Sequence, residues 1–189
     1  MIFLENSSLN ISNSTFKNIT IYGNHPFLSA SNNNFLNQYF IIFENVSVFE
    51  VTTSLNNTNP LIFLQNANSL ISFQNCYFAN NFANAIIMIF NISSSVLFNN
   101  VTFIQNSIFF QAIDIEEINY LIMNLVNCIA NNPNNMLNNG GCFRTKNVLS
   151  RSFQNLSIIN CSSSQTTPGV KIIDDDDING LMVFFLIHL

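Results

Sequence analysis

The segment Val96-Leu-Phe-Asn-Asn-Val-Thr-Phe103 contains the pattern that decides the fold. Its two apolar halves follow a period closer to two residues than to the 3.6 residues of a helix. Beta-branched and aromatic side chains, which favour strands, dominate this segment and its surroundings. Asn, Ser and Thr interrupt every window that is long enough for a helix. The pattern therefore predicts short strands.

The same phrase occurs six times along the chain, and each copy ends on an apolar anchor residue. The copies are Leu9–Phe16, Phe40–Val48, Leu70–Phe78, Val96–Phe103, Leu121–Cys128 and Leu149–Ile158. The anchors Phe16, Val48, Phe78, Phe103, Cys128 and Ile158 are separated by 32, 30, 25, 25 and 30 residues. A regular spacing of this size indicates a repeat architecture whose units carry loops of different length.

A second apolar run follows each anchor. These runs are Pro26–Leu28, Pro60–Leu64, Ala85–Phe90, Ile108–Phe110, Gly140–Phe143 and Pro168–Ile173. Each repeat therefore contains at least two short strands. The linkers between the strands are rich in asparagine, which tolerates the left-handed backbone conformation that a tight corner requires.

Repeats of two short strands predict an all-β solenoid, a parallel β-helix of about six coils, because one coil alone cannot bury its inward apolar face. Neighbouring coils would pair in parallel about 4.8 Å apart, with Phe16, Phe78 and Phe103 in one interior ladder. We assign residues 1–178 to this repeat region, as part of a longer solenoid. Residues 179–189 are assigned to an apolar C-terminal strand or the stump of a longer apolar segment.

The composition excludes several classes of function. The chain has 189 residues, of which 48% are hydrophobic, with 5 Lys+Arg against 10 Asp+Glu and a net charge of −5. It therefore lacks the basic footprint of a protein that binds nucleic acid. Large apolar residues are too abundant for disorder, and no apolar run reaches the roughly 20 residues of a membrane-spanning helix. Membrane attachment would require a segment that this chain does not contain.

Amides and hydroxyls supply most of the polarity, since the sequence contains 36 Asn and its Val51–Ile113 segment contains no Asp, Glu, Lys or Arg. N-linked glycans would hydrate such a surface. The N-x-S/T sequons lie at Asn6, Asn10, Asn13, Asn18, Asn45, Asn56, Asn91, Asn100, Asn155 and Asn160. Secretion in a eukaryote would make these asparagines candidate glycan sites. A composition rich in Asn, Ser and Thr also produces sequons by chance, and the sequence leaves both interpretations open.

The anchors are followed by a motif of known repeat proteins. F-x-x-N occurs at Phe78–Asn81 and Phe103–Asn106 and in degenerate form at Cys128–Asn131, and Gly140-Gly141 precedes an apolar strand. Together these features resemble the repeats of polymorphic outer membrane proteins. The chain also resembles the Asn- and Phe-rich pectin-lyase-like repeat proteins of protists, many of them at the cell surface. The resemblance covers about residues 9–175 and implies that the parallel β-helix is right-handed.

The resemblance to pectin-lyase-like proteins implies a site to test. Lyases of this class would need acidic calcium ligands with a basic residue, and hydrolases would need clustered carboxylates. The best group is Asp114 and Glu116, which would share one strand face, with Arg144 about one coil away. Carboxylate clusters are more often solvated surface features, so we assign no catalytic residue. The run Asp174–Asp177 is interpreted as a solvated loop, because consecutive residues of an extended chain point to opposite faces.

Cysteine and histidine give no sign of a metal or cofactor. Cys76, Cys128, Cys142 and Cys161 are four in number and permit two disulfides. Cys128 takes the place of an inward anchor, so we expect a buried thiol there, and a Cys128–Cys161 bridge is disfavoured because it would offset the two coils. His25 and His188 have no Cys or His at metal-binding spacing, so no metal site and no cofactor are predicted.

These observations favour a non-catalytic surface or secreted β-helix with a structural or adhesive role, whose regular face binds protein or glycan partners. A fragment of a polysaccharide-active pectin-lyase-like enzyme is the first alternative. A truncated gene product without independent function is the second, because Met1–Asn6 does not resemble the start of a signal peptide and we expect residues upstream. The predicted location is extracellular or at the cell surface, with any membrane anchor outside this chain.

Overall fold

Parallel pairing between successive repeats builds the fold. The computed structural model is all-β, with 76% of residues in strands, and its parallel sheets stack as a β-solenoid, as predicted. The structure describes residues 1–32, 36–54, 59–66, 68–90, 94–108, 111–129, 141–159 and 170–173. Nothing in the description below refers to other residues.

The shorter strands of the repeats form a seven-stranded parallel sheet, sheet A. In spatial order its strands are β1 (Ile2–Glu5), β3 (Leu28–Asn32), β5 (Ile62–Asn66), β8 (Ile87–Phe90), β11 (Gln111–Glu116), β13 (Gly141–Lys146) and β16 (Val170–Ile173). Leu28, Ile62, Ile87, Ile113 and Phe143 stand opposite one another along the sheet and are buried. One apolar residue of each of these strands thus faces the core at the same position.

The longer strands form the second parallel sheet, sheet B, which carries the repeated phrase. Its main strands are β2 (Leu9–Ile21), β4 (Tyr39–Thr53), β6 (Ser69–Ala79), β9 (Ser95–Ile104), β12 (Tyr120–Ile129), β14 (Ser150–Gln154) and β15 (Ser157–Ile159). Two short strands, β7 (Phe82–Ala83) and β10 (Ser107–Ile108), extend it. Sheets A and B enclose one continuous apolar core.

The anchor residues of the six phrases pair directly across sheet B. The register joins Phe16 to Val48, Val48 to Phe78, Phe78 to Phe103, Phe103 to Cys128 and Cys128 to Ile158. The alignment made from the sequence therefore predicts the strand register residue by residue. It does so because each anchor must point inward, and a shift by one residue would turn it to solvent.

Two details of the prediction need correction. The structure has about four turns, not the six coils predicted, and the windings that include residues 130–140 and 160–169 lie outside the described residues. The run Ile108–Phe110 is not the sheet A strand of its repeat. Ile108 belongs to the short strand β10 of sheet B, and β11 pairs with β8 instead, because Ile113 and Ile115 match the inward Ile87 and Ile89.

Stacked phenylalanines form two ladders inside the solenoid. Phe43, Phe73 and Phe98 stack with ring centroids 4.7 and 4.9 Å apart and interplanar angles of 4°. Phe78 and Phe103 form the second ladder, with centroids 5.0 Å apart, as predicted. Phe16, the third predicted member, is only partly buried and its ring contacts Phe27 edge-on, since its partner in the next strand is Val48.

Left-handed corners explain the abundance of asparagine. Among the described non-glycine residues, fourteen have positive φ, and ten of these are asparagines. One position recurs in every phrase with φ between 49° and 55°; it is occupied by Asn13, Asn45, Asn75, Asn100, Leu125 and Asn155. Asparagine adopts this conformation at lower cost than other residues with a β-carbon, so repeated corners select it.

The asparagine of the F-x-x-N motif ties neighbouring coils together. Asn81 is 1% exposed; its Oδ1 accepts from the backbone N–H of Val51 at 3.0 Å, and its Nδ2 donates to the Val48 carbonyl at 2.9 Å. The same Nδ2 donates to Oδ1 of Asn106 at 2.9 Å, and Nδ2 of Asn106 donates to the Phe78 carbonyl at 2.8 Å. The motif therefore satisfies backbone groups at a corner where the sheet cannot.

Candidate functional site

The residues singled out from the sequence meet on the outer face of sheet A. Asp114 alternates with the buried Ile113 and Ile115, so it lies on the opposite face of β11. Its neighbours across the sheet are Met88 on β8 and Arg144 on β13. The prediction that Asp114 and Glu116 share a strand face, with Arg144 one coil away, is correct in its geometry.

Asp114, Arg144 and Glu116 form an ion-pair triad. The Arg144 guanidinium donates through Nε to Oδ1 of Asp114 and through Nη2 to Oδ2, both at 2.8 Å. Nη2 also donates to Oε1 of Glu116. The side chain of Asp114 is 5% exposed, whereas those of Arg144 and Glu116 are 28% and 23% exposed. This bidentate pairing fixes the Asp114 carboxylate and uses both of its oxygens.

The triad keeps the guanidinium charged. The hydrogen bond from Arg144 to Asp114 is the largest cause of a raised pKa of Arg144, and the negative charges of Asp114 and Glu116 add to it. Partial burial opposes the shift but does not reverse it. Arg144 is therefore a fixed cation and cannot act as a proton donor or acceptor in the physiological range.

An apolar pocket lies beside the triad. The cavity, about 270 Å³, is lined by Phe63, Met88, Ile89, Phe90, Asp114 and Glu116. The strand register places Met88 between Phe63 and Asp114, and Phe90 beside Glu116. The sequence analysis missed the apolar wall of this pocket. Its signal was the unbroken apolar runs Pro60–Leu64 and Ala85–Phe90, which cover both faces of their strands where one face would suffice for the core.

Sheet B also carries apolar side chains on its outer face. Phe40, Leu70 and Tyr120 lie in one row with Ser95, and they are 43%, 37% and 58% exposed. Ile122, 46% exposed, lies two residues from Tyr120 on the same face of β12. The sequence analysis predicted an Asn-lined face and did not identify this apolar row.

The sequons fall on the surface wherever the structure describes them. Asn6, Asn10, Asn13, Asn18, Asn45, Asn100 and Asn155 are exposed, and Asn56, Asn91 and Asn160 lie outside the described residues. Three of the exposed ones belong to asparagine ladders. Nδ2 of Asn45 donates to Asn13 at 3.0 Å, Nδ2 of Asn100 to Asn75 at 2.9 Å and Nδ2 of Asn155 to Asn124 at 3.2 Å. A glycan on any of the three would occupy an amide nitrogen that already joins two coils.

Buried thiols occupy the cysteine positions that the structure describes. Cys76, Cys128 and Cys142 are buried and outside any disulfide, as expected for Cys128, and Cys161 lies outside the described residues. Burial raises the pKa of the Cys76 thiol, against hydrogen bonds to the backbone that lower it. The described residues contain no group of three or more His, Cys, Asp or Glu arranged to bind a metal ion. Asp174–Asp177 lie outside them.

The fold defines the class of protein as a parallel β-solenoid with in-register aromatic and asparagine ladders. Comparison with protein-family models, curated proteins and solved structures gives no match for the chain. Within the described part of the chain, no helix is long and apolar enough to span a membrane.

Proposed function

We propose that the chain is a non-catalytic structural or adhesive module, a rigid solenoid that holds protein or glycan partners on its outer surface at the cell exterior. The observation that carries this proposal is the row Phe40, Leu70 and Tyr120, with Ile122 beside it, exposed on sheet B. Contiguous exposed apolar side chains on a soluble fold are typical of interaction surfaces.

The sheet suits such a role because it fixes its side chains in a regular array. Neighbouring rows lie about 4.8 Å apart, and the strands beneath them are held by parallel pairing and stacked rings. A partner therefore loses little free energy to ordering this surface on binding. Tyr120 combines an apolar ring with a hydroxyl, a combination that serves both protein and glycan recognition.

The ion-pair triad supports a non-catalytic role. Carboxylate catalysis needs one group that can exchange a proton and a second that can reach substrate. Both oxygens of Asp114 accept hydrogen bonds from Arg144, and the Asp114 side chain is 5% exposed. This arrangement suits a structural clamp between β11 and β13 better than a reacting group.

Binding to arrayed glycans and to intact cells tests the adhesive proposal. The informative variant combines Tyr120→Ser with Ile122→Thr, two substitutions at exposed positions. We expect it to lose at least tenfold in retained protein, while Tyr22→Ser, which removes a tyrosine that is 82% exposed elsewhere, retains wild-type binding. Equal binding by both variants and the unmodified protein would contradict the proposal.

A polysaccharide-active, pectin-lyase-like enzyme is the second candidate, because the structure brings Asp114, Glu116 and Arg144 together beside a pocket. The test is incubation of the folded protein with polygalacturonate and related polysaccharides, with and without calcium, followed by analysis of product ends. Cleavage that disappears in an Arg144→Lys variant of normal stability would establish this candidate. Unchanged polymer across the panel would remove it.

A further inference from the structure

The pocket on sheet A combines an apolar wall with an available carboxylate. Phe63, Met88 and Phe90 are partly exposed and form the wall, and Glu116 lies at its edge. Both oxygens of Asp114 are used by Arg144, but Glu116 accepts from Arg144 only through Oε1. Glu116 is therefore the acidic group of the pocket that can accept a hydrogen bond from a ligand.

The charges around the pocket favour a cation. Two carboxylates share one guanidinium in the triad, so one negative charge is left over at the pocket edge. The basic residues nearest in the register, Lys146 and Lys171, follow on β13 and β16, on the side of β11 away from Phe63 and Met88. A cation that approaches over the apolar wall reaches Glu116 without passing them.

The same chain contains a worked example of this recognition. On sheet B, Nζ of Lys17 lies 4.9 Å from the ring centroid of Phe49 and 3.9 Å from Oε2 of Glu50. An aromatic face and a carboxylate thus hold one lysine ammonium together. Phe90 and Glu116 are direct neighbours across β8 and β11, so the pocket presents the same two groups without a lysine.

We propose that this pocket binds the side chain of a lysine from a partner protein. The methylene stem would lie against Phe63 and Met88, and the ammonium would lie beside the Phe90 ring and donate to Glu116. A volume of about 270 Å³ is sufficient for one such side chain and small for a folded ligand. The site is on sheet A, so it is independent of the proposed adhesive row on sheet B.

Peptide titration followed by NMR tests the proposal with two matched probes, acetyl-Ala-Ala-Lys-Ala-Ala-amide and the same peptide with norleucine in place of lysine. The norleucine peptide keeps the apolar stem and lacks the ammonium. We expect the lysine peptide to bind at least fivefold more tightly, and Glu116→Gln to abolish this preference. Glu44→Gln, which removes an exposed carboxylate on sheet B, should leave it unchanged.

Equal affinity for the two peptides would overturn the proposal, as would a Glu116→Gln variant that keeps the preference for lysine. A peptide with arginine that binds as tightly as the lysine peptide would also contradict it. Circular dichroism of each variant shows whether the fold is intact, and Phe90→Leu, which keeps an apolar side chain but loses the ring, provides a second test. It should weaken lysine binding and leave norleucine binding nearly unchanged.

Discussion

Leu125 interrupts the asparagine ladder at the position where every other phrase has asparagine. Its φ is 54°, and its side chain is 46% exposed. The ladder Asn13–Asn45–Asn75–Asn100 stops there, and Asn124 takes over by donating to Asn99 at 3.0 Å and accepting from Asn155 at 3.2 Å. A left-handed conformation costs a leucine roughly 1–2 kcal/mol.

Replacing Leu125 by asparagine should therefore stabilise the protein by about 1 kcal/mol, because asparagine relieves the backbone cost and can donate to Asn100. Urea denaturation measures the change. Leu149→Asn is the matched control, since Leu149 is 56% exposed but its φ is not in the left-handed region. A Leu125→Asn variant no more stable than the Leu149→Asn control would contradict this explanation of the corner.

Gln111 is a second residue that does not fit its surroundings. It is 2% exposed, and neither Nε2 nor Oε1 has a hydrogen-bond partner. A buried amide without partners costs about 1–3 kcal/mol. Gln111→Met keeps a similar shape and removes both polar atoms, so we expect a higher urea midpoint. A lower midpoint would show that the amide is satisfied in solution.

At the scale of the element, the ladders of rings show how a strand contributes to the fold. Phe73 is fully buried between Phe43 and Phe98, with centroid distances of 4.7 and 4.9 Å. Phe73→Ala removes both stacking contacts and leaves a cavity that neighbouring strands cannot close, so it should cost about 3–5 kcal/mol. Phe40→Ala, at an outer position 43% exposed, should cost less than about 1 kcal/mol. Similar losses in chemical denaturation would contradict the ladder.

The triad joins two strands, and its value depends on burial. Asp114→Asn keeps the shape of the carboxylate but leaves Arg144 without its bidentate partner, so we expect a loss of about 2 kcal/mol. Glu50→Gln is the comparison, because the Lys17–Glu50 pair spans 3.9 Å with both side chains more than 40% exposed. That change should cost less than about 0.5 kcal/mol. Equal losses in thermal unfolding would show that the triad does not clamp β11 to β13.

Elements differ in how far the sequence predicts them. Anchors such as Phe78 and Phe103 are predicted in register because each stands alone as an inward residue in a polar phrase. Runs such as Ala85–Phe90 are apolar on both faces, so the sequence does not show which side chains point outward. The outer pocket of Phe63, Met88 and Phe90 could not be predicted for this reason, although Asp114, Glu116 and Arg144 could.

At the scale of the whole molecule, stability comes from contact between neighbouring coils. Each coil supplies the cover for the apolar face of the next, and the core is continuous from Ile21 to Leu156. The number of coils was overestimated, because phrase counting gives no information on how much of each winding is ordered. The surface role is a property of this array, since rows such as Phe40, Leu70 and Tyr120 exist only when the coils are stacked.

The central claim is the parallel, in-register stacking of the repeats, and one distance tests it most directly. Thr15 and Ser157 occupy the same row of sheet B, five strand spacings apart through Ser47, Tyr77, Thr102 and Asn127. Spin labels at positions 15 and 157, measured by double electron–electron resonance, should give one narrow distance near 24 Å. A broad distribution or a distance above about 35 Å would contradict the stacked solenoid.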